Sequence, residues 1–367
     1  MMAGTELHPA QAFTEEQKRQ INFLRGIAIF LMLWGHCIQY CCLNRFDFFE
    51  DIVFKLIYSF HMPLFMLISG YLFFFSAQKR TRLELLQHRT RSLLLPIFMC
   101  GLLNWLLSVV PSCLLAKDVS SLKNVWNGGW LSNIYSFTFL WSVLAASVPM
   151  SFAAKAHAVW LKIVFGLGGL LFACILPNSN FSLYLYPYFV VGYCCAKYRM
   201  RVGKLTRRIV GTAASLLFLV MLCFFEKKHY IYTSGLFGAR YSPVEYIMID
   251  GFRWIIGLAG CIFVVIAGRA LFLCLNRCGL GRWIAKTVET MGRRSLEIYA
   301  LSLSVLSGWL PRKAMLFLSG KGLEVALPRW VFDLLLTLGL AIAFSALLLA
   351  CIRFLEKTNL KKYIFGR

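Results

Sequence analysis

Two stretches decide the fold of this chain: RQINFLRGIAIFLMLWGH at residues 19–36 and YSFHMPLFMLISGYLF at residues 58–73. Each belongs to an apolar run of roughly twenty residues, which is the length that a helix needs to cross a lipid bilayer. Inside a bilayer the backbone must satisfy its own hydrogen bonds, so such runs form helices. The two stretches therefore predict a pair of membrane helices near the start of the chain.

The composition of the whole chain agrees with a membrane protein. Of 367 residues, 59% are hydrophobic and only 15% are charged, and a soluble core could not hide so much apolar surface. The 39 lysines and arginines outnumber the 16 acidic residues, but they cluster between apolar runs, where they set topology and meet anionic headgroups. We therefore predict an all-α integral membrane protein whose partners include membrane lipids and exclude nucleic acid.

Apolar runs of similar length recur along the chain and predict about ten transmembrane helices in one bundle. They lie near residues 20–43, 52–76, 92–116, 131–152, 157–177, 181–197, 207–225, 251–275, 293–310 and 330–352. The chain then divides into a cytoplasmic N-terminal tail at 1–19, a transmembrane domain at 20–352 and a basic cytoplasmic C-terminal tail at 353–367.

Positive charge tests this number of helices, because cytoplasmic loops are enriched in lysine and arginine. With ten helices, four segments that hold five or six such residues each fall on one side of the membrane: 77–91, 197–208, 269–294 and 353–367. We therefore predict a multi-pass protein of the cell (inner) membrane with both termini in the cytoplasm. The third of these segments is expected to contain an amphipathic helix on the inner surface. Its lipid-facing side chains would be Leu271, Leu275, Leu280 and Trp283.

Each of the two opening stretches carries one histidine, His36 and His61. Both lie roughly 25 Å along their helices from the basic flanks, somewhat past the middle of a hydrocarbon core about 30 Å thick. In an antiparallel pair they face each other at one depth. Ionisable side chains are costly there and usually functional, so we interpret His36 as a functional residue. For His61, a functional role and a structural hydrogen bond near Ser59 and Pro63 both remain open.

A basic segment, QKRTRLELLQHRTRSLLLP at residues 78–96, leads into the third apolar run. It brings Arg89 and Arg91 to the mouth of that run, where their planar guanidinium groups would match the phosphates of a nucleotide-containing donor. The alternative is a topology signal in contact with lipid headgroups. Cysteine and histidine show no metal-ligand spacing, so the sequence predicts no metal and no bound cofactor.

Motifs along the chain resemble, in the same order, those of the integral-membrane acyltransferase 3 family. The first stretch is similar to the family's opening helix, D-x-L-R-G-I-A with a final G-H, and the second is similar to F-H-M-P-L-F before I-S-G-Y in the branch of fucose 4-O-acetylases. The run into LLLP, YPYFVVGY at 186–193, SLEIY at 295–299 and IFGR at 364–367 also match that branch. The resemblance thus covers nearly the whole chain.

This resemblance implies a membrane O-acyltransferase, which moves an acetyl group from acetyl-CoA to a hydroxyl of a sugar in a surface polysaccharide or lipid-linked glycan. It implies that His36 is the essential catalytic residue, with His61 beside it. Arg25 corresponds to the arginine of L-R-G, which orders the inner end of the first helix, and Arg89 to the first arginine of an R-x-x-R motif. With Arg91, these arginines are expected to contact the donor, and acetyl-CoA is then a substrate rather than a bound cofactor.

Three residues depart from the family pattern. Asn22 stands where the family usually has Asp before L-R-G, and Ser302 stands where S-L-x-I-Y-L-L-H ends in histidine. Ser92 replaces the second arginine of R-x-x-R, so Arg91 is expected to serve in its place. We keep Asn22 and Ser302 as supporting residues of the site.

Two of the other charged residues inside predicted spans also bear on the site. Glu297 is a third supporting residue; it would either pair with Arg253 or a histidine, or lie close enough to the inner surface to be solvated. Arg253, at the outer end of the eighth run, is expected to snorkel toward water or to contact sugar.

A different class of protein would also use buried histidines. In a multi-pass glycan transporter or flippase, His36 and His61 would form a proton relay, and the basic mouth would attract an anionic substrate. The sequence lacks a pair of short, broken helices in matching halves, which is the usual sign of an inverted-repeat carrier. We therefore favour the acyltransferase, in which His36 acts on the acceptor hydroxyl as a general base or carries the acetyl group itself.

Overall fold

The computed structural model describes residues 14–41, 47–115, 129, 131–198, 203–236, 240–306 and 332–366. Within these ranges every regular element is helical, which confirms the prediction of an all-α membrane bundle. The helices of the first half are Glu15–Cys41 (α1), Ile52–Gln78 (α2), Arg82–Leu115 (α3), Thr138–Lys155 (α4), Val159–Ile175 (α5) and Ser179–Tyr198 (α6). Those of the second half are Lys204–Cys223 (α7), Pro243–Leu275 (α8), Gly279–Arg293 (α9), Ser295–Leu306 (α10), Leu338–Lys357 (α11) and Leu360–Phe365 (α12).

Each of the ten predicted spans falls on one of these helices. Six helices in the described ranges are long and apolar enough to cross a membrane, namely α1, α2, α3, α7, α8 and α11, and α5 is a shorter apolar helix. The spans predicted on α4, α6 and α10 are helical without meeting both of those criteria. The ends of the first, third, ninth and tenth predicted spans lie outside the described residues.

Two helices begin about ten residues before their predicted spans, because polar caps start them early. At the start of α3, the backbone amides of Thr81 and Glu84 each donate to the other residue's side chain. Ser242 and Glu245 form the same reciprocal capping box before α8. Such caps satisfy amides that a helix start leaves without partners. As a result, Arg89 and Arg91 lie on a helix rather than in a loop.

The bundle is tight where glycine lets two backbones touch. A Cβ atom on Gly70 of α2 would lie 1.9 Å from the carbonyl oxygen of Phe189 on α6, and one on Gly292 of α9 would lie 1.7 Å from that of Asn22 on α1. Any larger residue would separate these helices. α9 is the amphipathic helix expected within 269–294: Leu280 and Trp283 are exposed, whereas Leu271 and Leu275 belong to α8.

We call the end of the bundle where α1 begins and α2 ends the basic end. Ion pairs join its helices there: Arg19 meets Glu289 at 3.0 Å, and Arg294 meets Glu356 at 2.7 Å. The segment predicted as a C-terminal tail is folded at this end, because α11 continues to Lys357 and α12 packs on α3. The fully buried Phe365 anchors α12.

Candidate active site

Two adjacent cavities lie inside the bundle. The donor cavity, as we name it, has a volume of about 580 Å³, lies toward the basic end and is lined by residues of α1, α2, α3, α4 and α10. The histidine cavity, of about 330 Å³, lies toward the opposite end and contains both predicted histidines. Met32, Met62 and Tyr299 line both cavities. The two spaces therefore share one boundary near the middle of the bundle.

All three predicted donor arginines line the donor cavity: Arg25, Arg89 and Arg91. Arg25 is half-buried on α1, and its guanidinium donates to Ser295 Oγ at 2.7 Å, which ties α1 to the start of α10. Arg91 is exposed at the rim, beside Gly366. Glu84 and His88 complete the charged or titratable lining. The cavity is therefore mainly cationic, as an anion-binding space must be.

Arg89 differs from the other two arginines because one of its N–H donors is buried without a partner among the described residues. Its guanidinium lies over the ring of Phe73 at 5.1 Å, and its buried Nε has no hydrogen-bond partner among the described residues. A buried donor without a partner costs about 1–3 kcal/mol. Ser92, at the position of the missing second arginine, instead donates its hydroxyl to the carbonyl oxygen of Arg89. The geometry thus favours Arg89 as the main anion ligand, with Arg91 at the rim.

The C-terminal segment contributes a wall that sequence reasoning missed. Lys361 pairs with Glu297 at 3.4 Å and with Glu356 at 2.9 Å, and these contacts hold α12 against α10 and α11. Gly366 then reaches the donor cavity. Glu297 is buried and is paired with Lys361, so the expectation of a partnership with Arg253 is wrong, as is that of a solvated carboxylate. Glu297 thus contacts the segment that forms one wall of the donor cavity, and its supporting role in the site stays a prediction.

His36 and His61 face the same space, as the antiparallel pair predicted. Tyr58 lies between them: its hydroxyl is 3.5 Å from His36 Nδ1, and its ring meets that of His61 edge-on at 4.6 Å. Gly35 makes this arrangement possible, because a Cβ there would lie 2.6 Å from Tyr58 Cε2. The need for space beside the Tyr58 ring therefore explains why glycine precedes His36 in the first motif. The catalytic roles of both histidines stay predictions.

The contacts of each histidine indicate which ring nitrogen is free to act as a base. His61 Nδ1 lies 2.9 Å from the carbonyl oxygen of Ile57, one turn earlier in α2. His36 Nδ1 lies 3.3 Å from Gln39 Oε1. A backbone carbonyl oxygen only accepts, so Nδ1 of His61 carries the proton and Nε2 of its neutral ring keeps the lone pair. His36 has the same tautomer when Gln39 Oε1, rather than the Tyr58 hydroxyl, is the partner of its Nδ1. In that tautomer each histidine can accept a proton at Nε2.

Asn22 and Ser302 lie away from both cavities. Asn22 belongs to the contact between α1 and α9, where its carbonyl oxygen faces Gly292. Ser302 is buried and donates its hydroxyl to the carbonyl oxygen of Tyr299, one turn earlier in α10. Among the described residues no group of three His, Cys, Asp or Glu side chains has the arrangement of a metal site. A supporting role for Asn22 and Ser302 stays a prediction.

Tyr299 is a residue of the site that sequence reasoning did not assign. It lies on the boundary of the two cavities, and its hydroxyl oxygen accepts a hydrogen bond from the Phe139 amide at 3.2 Å. The side chain of Thr138 also hydrogen-bonds this hydroxyl, so Tyr299 has two partners at the start of α4. The sequence feature that could have identified Tyr299 as a site residue is its place at the end of the SLEIY motif.

Comparison with known proteins identifies the class. The family model described as an acyltransferase domain, acyltransferase 3, matches residues 18–351, and the chain belongs to this family of membrane acyltransferases. This agrees with an all-helical bundle that carries a cationic cavity beside two histidines, of which His61 is buried and His36 is half-buried.

Curated relatives match about half of the chain. It is 28% identical over 190 residues to nodulation protein NolL of Mesorhizobium japonicum, which covers 51% of this chain and 50% of that protein. It is 29% identical over 187 residues to nodulation protein NolL of Sinorhizobium fredii, with 48% of each chain covered. The chain therefore spans about half the length of the curated relatives it matches. No solved structure matches it.

Proposed function

We propose that this protein is a membrane O-acetyltransferase that moves an acetyl group from acetyl-CoA to a hydroxyl of a surface polysaccharide or lipid-linked glycan sugar. The observation that carries the proposal is the pair of adjoining cavities, one cationic and one with two histidines. The first suits the phosphates of CoA, and the second suits proton transfer from a hydroxyl.

The distance between the two sets of residues fits the donor. His36 follows Arg25 by eleven residues on α1, a rise of about 16 Å. An extended pantetheine arm spans a comparable distance, so phosphates held by Arg25, Arg89 and Arg91 would bring the thioester to the boundary at Tyr299. Acceptor and donor would then meet between the two cavities. Holding the thioester and the acceptor hydroxyl next to each other would supply much of the acceleration over the uncatalysed reaction.

In the proposed reaction, His36 Nε2 takes the proton of the acceptor hydroxyl as its oxygen attacks the thioester carbonyl carbon. The new C–O bond forms, the C–S bond breaks, and the histidine's proton goes to the departing CoA thiolate. In the second version, His36 Nε2 attacks the thioester carbon, a C–N bond forms and the C–S bond breaks to release CoA thiolate. The acceptor oxygen then forms the C–O bond as the C–N bond breaks, and its proton goes to the thiolate. In both versions, we propose that the Tyr299 hydroxyl donates to the developing oxyanion.

We also propose that the basic end faces the cytoplasm, the compartment that holds acetyl-CoA, and that both termini lie there, in the cell (inner) membrane. The abundance of lysine and arginine at this end supports it. Single cysteines at Gln87 and Thr358 should then resist an impermeant thiol reagent, whereas one at Ser179 should react from outside. The reverse pattern would put the donor cavity on the wrong side for acetyl-CoA.

The test of function is the release of free CoA thiol by purified protein given acetyl-CoA and a glycan acceptor. The wild type should release thiol in step with acetylation of the glycan, and His36→Ala should abolish both. If His61 only orients the reactants, His61→Ala should lower turnover less than His36→Ala does. If the two histidines act as a catalytic dyad, the two variants should lose turnover equally. His157→Ala, at an exposed position between α4 and α5, is the matched control. Glycan movement across vesicles without thiol release would favour the transporter or flippase instead.

A further inference from the structure

Two segments line the histidine cavity at the end opposite the basic end. The first contains the helical turn Phe48–Glu50, and the second runs from the turn Lys227–His229 through the turn Ile231–Ser234. They are joined by the Tyr230 hydroxyl, which donates to the Phe49 carbonyl oxygen at 3.2 Å, and by an ion pair of 2.6 Å between Lys227 and Asp47. The second segment is called the 227–236 loop below.

The 227–236 loop is fixed in place by Arg253 of α8. This side chain is only 1% exposed, and its charge is paired with Asp250 at 2.6 Å. Its other N–H groups donate to Ser234 Oγ and to loop carbonyl oxygens, including those of Lys228 at 2.8 Å, His229 at 2.9 Å and Gly235 at 2.7 Å. Arg253 therefore neither snorkels nor reaches toward sugar. It ties the loop to the bundle, because moving the loop would leave the buried guanidinium without its hydrogen-bond acceptors.

The loop presents one aromatic ring to the cavity. Tyr232 lines the space near His36, yet 54% of its surface is accessible. One neighbour, Phe181, stacks nearly parallel to it at 6.1 Å, and Tyr58 meets it edge-on at 5.9 Å. Aromatic rings from α2, α6 and the loop thus converge beside the predicted catalytic nitrogen. An accessible ring of this kind offers a flat face for an apolar surface.

The two cavities differ in the charge of the side chains that line them. Among the described residues, the lining of the histidine cavity includes no Asp, Glu, Lys or Arg, whereas the donor cavity holds three arginines. Its polar groups, such as Gln39, Ser136 and Thr138, are neutral partners for hydroxyls. A carboxylate or phosphate brought here would lose its water, and among the described lining residues only the two histidines could offset its charge, which is unfavourable.

We propose that the histidine cavity is an acceptor subsite for an uncharged pyranose ring, whose apolar C–H face stacks on Tyr232 while one hydroxyl reaches His36. Tyr232 is then a specificity-determining residue, and Arg253 is a positioning residue that acts through the loop. The inference rests on the proposed function, because it names the class of sugar that this reaction accepts. It excludes uronic acids and phosphorylated sugars as the acetylated residue.

The first experiment identifies the acetylated sugar. Membranes that contain the protein and its own glycan are incubated with acetyl-CoA carrying a labelled acetyl group, and fragments of the labelled glycan are analysed by mass spectrometry. We expect the label on an uncharged sugar. Label on a uronic acid or phosphosugar would overturn this inference while leaving the acetyltransferase intact. No protein-dependent label on any glycan would instead count against the proposed function itself, and with it the inference.

The second experiment separates acceptor binding from donor binding, with extracted glycan as the varied acceptor. Tyr232→Ala should raise the acceptor KM about tenfold and leave the acetyl-CoA KM unchanged, whereas Tyr232→Phe, which keeps the ring, should stay close to the wild type. Tyr198→Ala, at an exposed position at the end of α6, is the matched control. An unchanged acceptor KM in Tyr232→Ala, or an equal rise in both KM values, would overturn the assignment.

Discussion

Replacing Arg89 with methionine should weaken CoA binding without destabilising the protein. The guanidinium Nε is buried with no partner among the described residues, so the free protein bears a desolvation cost that the substitution removes. Methionine also preserves an apolar stem against Phe73. We therefore expect the free energy of unfolding without ligand to stay constant or rise by about 1–3 kcal/mol.

Donor binding should change in the opposite direction. In the complex, the half-buried guanidinium of Arg89 would bond a phosphate, and hydrogen bonds to charged groups are worth about 1.5–3 kcal/mol. Their loss raises the Kd for CoA about 10- to 150-fold. The exposed Arg91 makes a matched control, because Arg91→Met should cost at most about 1 kcal/mol and its effect should shrink in high salt.

Both quantities can be measured on the same preparations, by calorimetric titration with CoA and by thermal unfolding without it. Our reasoning would be refuted if Arg89→Met unfolded at a lower temperature yet bound CoA normally. Arg89 would then be a structural cation. Equal losses of affinity in Arg89→Met and Arg91→Met would also contradict it, because burial would not distinguish the two arginines.

Four further changes test other parts of the site. Tyr299→Phe should lower kcat about 100-fold with little change in either KM, since it removes one proposed oxyanion donor; an unchanged kcat rejects that role. Gly35→Ala should displace the Tyr58 ring, cost about 1–3 kcal/mol of stability and lower kcat, and wild-type turnover would show that the ring is not needed there. Phe365→Ala should detach α12, seen as faster proteolysis of the C-terminal segment, and weaken CoA binding; intact affinity would remove α12 from the donor site. Burial holds the pKa of His229 down at about 4, so stability should fall by at most about 1.4 kcal/mol per unit as pH drops from 6.5 toward 4, and His229→Gln should abolish that slope in pH-dependent unfolding.

Sequence reasoning succeeded where the information is local. The common depth of His36 and His61 follows from counting residues along two apolar runs, and the helices follow from the runs themselves. Arg25, Arg89 and Arg91, which were predicted to contact the donor, line one cavity, and their role stays a prediction. For the two histidines and the helices, the evidence was a pattern within one or two helices that follow each other in the chain.

The contacts that sequence reasoning missed join residues far apart in the chain. The sequence around Arg253 does not indicate that its partners are carbonyl oxygens of the 227–236 loop. Arg253 was therefore predicted to snorkel, although its side chain is buried and holds the loop. Glu297 pairs with Lys361, which lies more than sixty residues later in the chain. The basic C-terminal segment was predicted to be a tail, but the buried Phe365 anchors it to the bundle. Such pairings depend on how helices pack, which a single sequence does not specify.

The central claim is that donor phosphates bind at the basic end and the acyl group reaches the boundary beside His36. The most direct test is an electron-microscopy structure of the protein with an acetyl-CoA analogue whose thioester is replaced by a ketone. We predict the analogue's phosphates within hydrogen-bonding distance of Arg89, and its acetyl group between Tyr299 and His36. An analogue bound outside the donor cavity, or with its phosphates at the opposite end of the bundle, would contradict the claim.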